Sequence, residues 1–357
     1  MSKILYVASN MQHINNFHIP YIEKLRSEGH TVKVMATGEG ADFDLPFVKK
    51  MLSPRNLLTQ RKIKRIVLDE RFDAIVLNTS LAAFHVRMAL PKKNRPRVLN
   101  IVHGYLFHEK DKGLKKKVLL ACEKMLKSKT DAIAVMNAED ERIARENSLT
   151  SGEIIMTRGM GARVAEESFT RESVRRYSST EGKFLLTFVG ELSDRKNQRF
   201  LISALPEIKI AIPTAELLFL GEGGIEKQLK EIAESLNISS AVHFMGRKSN
   251  PCDFIRATDL YVTASEIEGM PFNVIEALGC AVPILASDIK GHVDLIEDGE
   301  EGYLYERGNV ADFVAKVKAF AMGDVTVDRE RQIEKYTEYS FDRVFDETYS
   351  VIKEFVK

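Results

Sequence analysis

Short apolar, β-branched runs alternate with longer amphipathic segments along nearly the whole chain. In the first half the runs are ILYVAS (4–9), TVKVMA (31–36), AIVLNT (74–79), VLNIVH (98–103), AIAVMN (132–137) and EIIMTR (153–158). After a break the pattern resumes with FLLTFVG (184–190), ELLFLG (216–221), VHFMG (242–246), LYVTAS (260–265) and PILAS (283–287). Runs without internal polar alternation predict strands buried on both faces, and amphipathic helices between them predict parallel sheets covered on both sides. The break, GMGARVAEESFTRESVRRYSSTEG from Gly159 to Gly182, holds paired glycines, serines and mixed charge but no apolar run. The expected organisation is therefore α/β, with two doubly wound, Rossmann-like domains facing a central cleft. Residues 1–160 form the first domain, 161–182 a linker, 183–335 the second domain, and 336–357 a final helix returning to the first.

Composition adds limits. The chain has 357 residues, 44% of them hydrophobic, enough for two cores of ordinary size. Lys+Arg 52 against Asp+Glu 51 gives a formal net charge of +1, so no global field singles out nucleic acid as partner. Cys122, Cys252 and Cys280 lack metal-ligand spacing and a disulfide framework, which suits a reducing compartment. The N-terminus lacks the core of a signal peptide and no run reaches spanning length, so the expected location is cytoplasmic, peripheral on a membrane at most.

Open parallel sheets bind ligands beyond the carboxyl ends of their strands, which directs attention to the residues after FVG, FLG, FMG and TAS. There the stretch EIEGMPFNVIEALGCAVPILAS (266–287) opens a helix with Pro271 in its first turn. A helix N-terminus at Met270, Pro271, Phe272 and Asn273 offers N–H groups and a dipole to a phosphate. Glu268 precedes it, and Glu276 lies roughly 7.5 Å up the helix at 1.5 Å per residue, so the two carboxylates could hold hydroxyls on either side of a diphosphate.

The pattern S-x-x-E-G-x-P-x-x-x-x-E-A-x-x-x-G-x-P-x-x-A, from Ser265 to Ala286, resembles the donor-site signature of retaining glycosyltransferases of family 4, which have the GT-B fold. VGELSDRKNQRFLISAL, FLGEGGIEKQLKEIAESLNISSAVHFMG and SDIKGHVDLIEDGEEGYLY are similar to further segments of the family's donor domain. NIVHGYLFHEKDKGLKKKVLLACEKMLKSKTDAIAVMNAED is similar to the acceptor domain of capsule and exopolysaccharide glycosyltransferases.

The resemblance implies a sugar transfer from a UDP- or GDP-type nucleotide-diphosphate sugar to a saccharide or lipid-linked saccharide. It places Lys196 and Arg195 on the diphosphate, Arg195 standing in for an arginine that many members carry where this chain has Glu191. Glu268 would meet the transferred sugar and Glu276 the ribose. Gly190, Gly221, Gly223 and Gly269 would bring backbone close to the donor. In the other domain His103 would act near the reacting sugar, beside Gly104, with His13 and His18 as acceptor contacts. No catalytic metal is expected, and Asp42-Phe43-Asp44 is read as a chance D-x-D. A nucleotide-sugar 2-epimerase of the same architecture is the alternative, and a two-lobed sugar receptor a weaker one.

The segment 112–129 combines Lys112, Lys115, Lys116, Lys117, Lys124, Lys127 and Lys129 with Leu114, Val118, Leu119, Met125 and Leu126. It predicts either a core-facing helix with a solvated lysine face or a basic surface for anionic lipid.

Overall fold

The computed structural model describes residues 1–48 and 53–357. The chain divides into two compact units, one of Met1–Met160 with Val344–Lys357 and one of Gly161–Arg343.

In chain order the first unit comprises β1 (Lys3–Val7), α1 (Met11–Phe17), α2 (Ile19–Ser27), β2 (Thr31–Ala36), β3 (Phe43–Asp44), α3 (Arg55–Glu70), β4 (Ala74–Leu77), α4 (Ser80–Ala89), β5 (Arg97–Val102), α5 (Leu114–Met125), β6 (Ala132–Val135), α6 (Ala138–Glu146) and β7 (Glu153–Met156). The second comprises α7 (Arg171–Tyr177), β8 (Phe184–Val189), α8 (Gln198–Ala211), β9 (Ala215–Leu220), α9 (Glu226–Ser235), β10 (Val242–Phe244), α10 (Pro251–Arg256), β11 (Leu260–Thr263), α11 (Phe272–Gly279), β12 (Ile284–Ser287), β13 (Tyr303–Tyr305), α12 (Val310–Met322) and α13 (Arg329–Tyr339), followed by α14 (Phe341–Val356).

The first sheet has seven strands in the order β3-β2-β1-β4-β5-β6-β7 and the second six in the order β10-β9-β8-β11-β12-β13, and the strand pairs are parallel. Each order reverses direction once, between β1 and β4 and between β8 and β11. Such a reversal leaves a crevice at the strand carboxyl ends, because the loops on either side turn to opposite faces.

The apolar runs become strands because both faces are covered. Leu5, Val7, Ile75 and Leu77 share one cluster of the first unit with Ile63 and Val67 of α3. Leu186, Phe188, Leu217 and Phe219 pack with Leu201, Leu205 and Ile208 of α8 in the second. Two strands lie outside the apolar runs: β3 has only two residues, and β13 has three, YLY, too few for periodicity to register.

The stretch expected as linker is counted with the second unit. It carries α7, capped by the Thr170 side chain; Arg171 and Arg175 hold Asp259 at 2.5 and 2.7 Å, and Val174 packs into a cluster with Leu185, Leu218 and Phe254. From Val344 onward α14 belongs to the first unit. There Lys353 pairs with Glu28 at 2.8 Å, Thr348 donates to the Gly159 carbonyl at 2.7 Å, and Phe345 packs on Tyr21.

Candidate functional site

In the second unit the two loops flanking the switch point follow β8 and β11. The β8 loop runs from Gly190 to Asn197. Buried Gln198 donates to the Glu191 carbonyl at 2.8 Å and accepts from the Ser193 N–H, which fixes the loop's return into α8. The β11 loop is tied to it twice, by the Glu266 N–H donating to the Arg195 carbonyl and by Asn197 Nδ2 donating to Glu266 Oε1, both at 2.8 Å.

This double tie delivers two cations to one carboxylate. Lys196 Nζ lies 2.7 Å from Glu268 Oε1, and Arg195 Nη1 lies 2.8 Å from Oε2. Lys196 and Glu268 are buried while Arg195 is partly exposed. Burial pushes the Glu268 carboxyl up, but Lys196, Arg195 and His292 prevail and hold it at about 2. The Lys196 ammonium is lowered, because its own desolvation outweighs the attraction of Glu268. Glu191 is exposed, and Arg195 supplies the second positive charge of the loop.

Gly221 makes the arrangement possible at close quarters. A Cβ there would lie 1.9 Å from the Gly190 carbonyl oxygen, so only glycine lets the ends of β8 and β9 touch; one at Gly223 would lie 2.0 Å from the Leu192 carbonyl. Gly291 plays the same part after β12, with φ +82° and a would-be Cβ 3.1 Å from Glu268 Cβ.

Gly269 and Met270 follow Glu268. Pro271 caps α11 rather than occupying its first turn, one position earlier than expected. The Asn273 amide is spent structurally, donating to the Val189 carbonyl at 2.9 Å and to Tyr261 Oη at 2.8 Å, which ties α11 to the end of β8. Glu276 is half-buried. Among the described residues its carboxylate meets no hydrogen-bond or ion-pair partner, and burial, with the neighbouring Cys252 adding, raises it to about 8.

His292 is the residue that sequence reasoning missed. It is fully buried, its Nδ1 lies 2.8 Å from the Ser287 carbonyl, its Nε2 has no partner, and burial lowers it to about 4, so that only in acid does its charge act on Glu268. The signal was the glycine before it in IKGH, which marks a close backbone approach.

The first unit collects three histidines. Asn10 caps α1 by accepting from the His13 N–H, His18 sits between α1 and α2, and His103 follows β5 ahead of Gly104. His13 and His18 approach through their Nε2 atoms at 3.1 Å, and the His103 ring lies 4.8 Å from that of His13 and 5.3 Å from that of His18. Burial lowers His13 to about 4 and takes His18 and His103 well below the ordinary value, so all three are neutral at pH 7.

Asp42 and Asp44 do not form an open carboxylate pair. Asp42 accepts from the Val34 N–H and pairs with Lys33, and Asp44 accepts from the Gly38 N–H. The helix α5 buries no residue: Leu114, Val118 and Met125 are 76, 41 and 57% exposed, Leu119 is half-buried, and Leu126 beyond the helix is buried.

Two parallel sheets of this order in one chain, with a lysine, an arginine and a glutamate meeting at a switch point, are the architecture of a GT-B protein. Comparison with known proteins agrees. The family model "Glycosyl transferases group 1" matches residues 169–338, and "Glycosyltransferase Family 4" matches residues 21–154. EpsD of Bacillus subtilis is 30% identical over 335 residues, 88% of this chain and 86% of EpsD. A UDP-Gal:alpha-D-GlcNAc-diphosphoundecaprenol alpha-1,3-galactosyltransferase of Escherichia coli is 22% identical, over 70% of this chain and 66% of that enzyme. Among solved structures, Anabaena HepE in complex with UDP-glucose superposes with a TM-score of 0.76 at 15% identity, covering 99% of this chain and 100% of HepE. The chain belongs to glycosyltransferase family 4 and is a GT-B glycosyltransferase.

Proposed function

We propose that the enzyme transfers a sugar, with retention of anomeric configuration, from a nucleoside-diphosphate sugar to a saccharide or lipid-linked saccharide in the synthesis of a cell-surface polysaccharide. The observation that carries this reading is the Lys196–Glu268–Arg195 cluster at the switch point, with unpartnered Glu276 on the adjoining helix. Departure of a nucleoside diphosphate develops negative charge on phosphate, and a preorganised ammonium and guanidinium stabilise it most where water is excluded. Arriving diphosphate draws Lys196 and Arg195 away from Glu268 and frees that carboxylate for the sugar's hydroxyls. A UDP donor is supported by a relative named for UDP-Gal and a fold neighbour holding UDP-glucose.

A thermal-shift screen of UDP-, GDP- and ADP-sugars tests the reading, followed by transfer assays with the donor that binds. Stabilisation by none of them would overturn it. Turnover of the donor without acceptor would indicate an epimerase, which family membership disfavours.

An ionised Glu276 accepts from both ribose hydroxyls through two oxygens, whereas the protonated acid gives up one of those acceptors. Affinity for a nucleoside diphosphate should therefore rise with pH up to about 8 and then level. Glu276→Gln should flatten that part of the profile, and calorimetric titration of both proteins across pH checks it. An identical slope in the variant would remove Glu276 from the ribose.

The loop cations make a bridging Mg²⁺ or Mn²⁺ on the diphosphate unnecessary, and Asp42 and Asp44 are occupied by backbone N–H groups. Donor affinity should be unchanged by adding either ion; several-fold tightening would reinstate that pair.

No helix among the described residues is long and apolar enough to cross a membrane. The exposed stripe Leu114, Val118 and Met125, set among lysines, gives the basic-surface reading of α5 its support, and we place it on the anionic inner face of a membrane, beside a lipid-linked acceptor. Each lysine near such a surface contributes about 1 kcal/mol. Changing Lys115, Lys117 and Lys124 to glutamate should abolish salt-sensitive binding to anionic vesicles while donor binding persists; wild type that ignores such vesicles at low salt would leave a soluble acceptor.

A further inference from the structure

We propose that His13, His18 and His103 form a binding site for one divalent transition-metal ion, Zn²⁺ being the best chemical fit. Three nitrogens, one from each residue, lie within 4.8 Å of one another. The Nε2 atoms of His13 and His18 are 3.1 Å apart. A tetrahedral zinc with Zn–N of about 2.0–2.1 Å has ligand edges of about 3.3 Å, so this pair already spans one edge. Closing the wider spacing to that edge takes an inward movement of about 1.5 Å.

The metal-free cluster is poorly satisfied. His103 Nε2 and His18 Nδ1 are buried with no hydrogen-bond partner, and a single proton between His13 and His18 serves only that pair. Each buried polar atom left without a partner costs about 1–3 kcal/mol. A cation held by the three imidazoles would engage His103 Nε2, whereas His18, ligating through Nε2, keeps its Nδ1 facing away from the ion.

The donor set narrows the metal. Three imidazoles suit Zn²⁺, Co²⁺, Ni²⁺ or Cu²⁺ rather than Mg²⁺ or Ca²⁺, which demand oxygen. Three protein ligands leave a fourth position for solvent or an oxygen ligand. Its ligands all belong to the first unit, whereas Lys196, Arg195 and Glu268 belong to the second.

The test is a Co²⁺ titration of full-length protein freed of metal by a chelator. The expected result is one equivalent of Co²⁺ giving the intense visible bands of a tetrahedral site, bleached by Zn²⁺. His13→Gln and His103→Gln should each weaken Co²⁺ binding at least tenfold, whereas Lys196→Ala should not. Thermal unfolding guards against misfolded variants, because wild type alone should gain melting temperature with Zn²⁺ and lose the gain to chelator. Absence of the tetrahedral bands, or their survival in both histidine variants, overturns the site. Neither result bears on the donor chemistry, so the proposed transfer reaction stands or falls separately.

Discussion

Replacing Glu268 by glutamine should slow sugar transfer by about 10²- to 10³-fold while changing affinity for free nucleoside diphosphate only a few-fold. The carboxylate is proposed to hold the transferred sugar, and free nucleotide has no sugar there. Steady-state kinetics and calorimetry on the same preparation separate the two, and near-normal turnover would remove Glu268 from the reacting centre. The variant should also fold. Breaking a buried ion pair from one side costs about 3–5 kcal/mol when the remaining charge is trapped. Here Arg195 keeps partial solvent contact, so part of the positive charge left behind stays in water.

The same substitution has a pH signature. Glu268 falls from an ordinary value of 4.5 to about 2 in the folded protein, against burial, because of Lys196, Arg195 and His292. A depressed carboxyl contributes stability that is present above its unfolded value and lost as pH falls through the folded one. Wild type should therefore lose stability between about pH 4.5 and 2, and Glu268→Gln should lose less over that window. Melting temperatures in acid buffers measure the difference.

How much of this was readable in the chain depends on the distance over which each feature is encoded. The apolar runs lie within a residue or two of the strands they predicted, because a strand covered on both faces leaves a local imprint. The Glu268–Glu276 pair was readable for the same reason, since loop, cap and helix are contiguous. His292 was not: only folding lays β12 beside β11, so the segment that brings the histidine to Glu268 is more than twenty residues away in sequence. The three histidines appear in the sequence as separate contacts. His13 and His18 are near neighbours, but His103 joins them only because β5 ends on the same side of the sheet as the loop after β1. Within the stretch read as linker, α7 is held by arginine–aspartate pairs and the single buried Val174, which leave no hydrophobic period.

Replacing Lys196 by alanine should weaken both intact donor and product nucleoside diphosphate by about 10- to 100-fold, the worth of a charged hydrogen bond at roughly 1.5–3 kcal/mol. Lys196 is buried at the end of β8, its Cε 3.6 Å from where a Gly190 Cβ would stand, so its ammonium can turn from Glu268 to a phosphate with little motion of the loop. Arg195 cannot replace it, because its guanidinium is partly in water and also donates to the Ile267 carbonyl. Without the ammonium, Glu268 loses the largest of the charges that depress it and rises from about 2 toward the ordinary range, which should stay below neutrality while Arg195 remains. The variant should thus keep an ionised Glu268 and an unaltered KM for acceptor, with the loss confined to terms that contain the donor. Lys196→Arg should recover only part, since a planar fork does not fit a site shaped for a point charge. If Arg195→Ala proved the more damaging substitution, the two cations would exchange roles; if only acceptor KM changed, the second unit would not be the donor site.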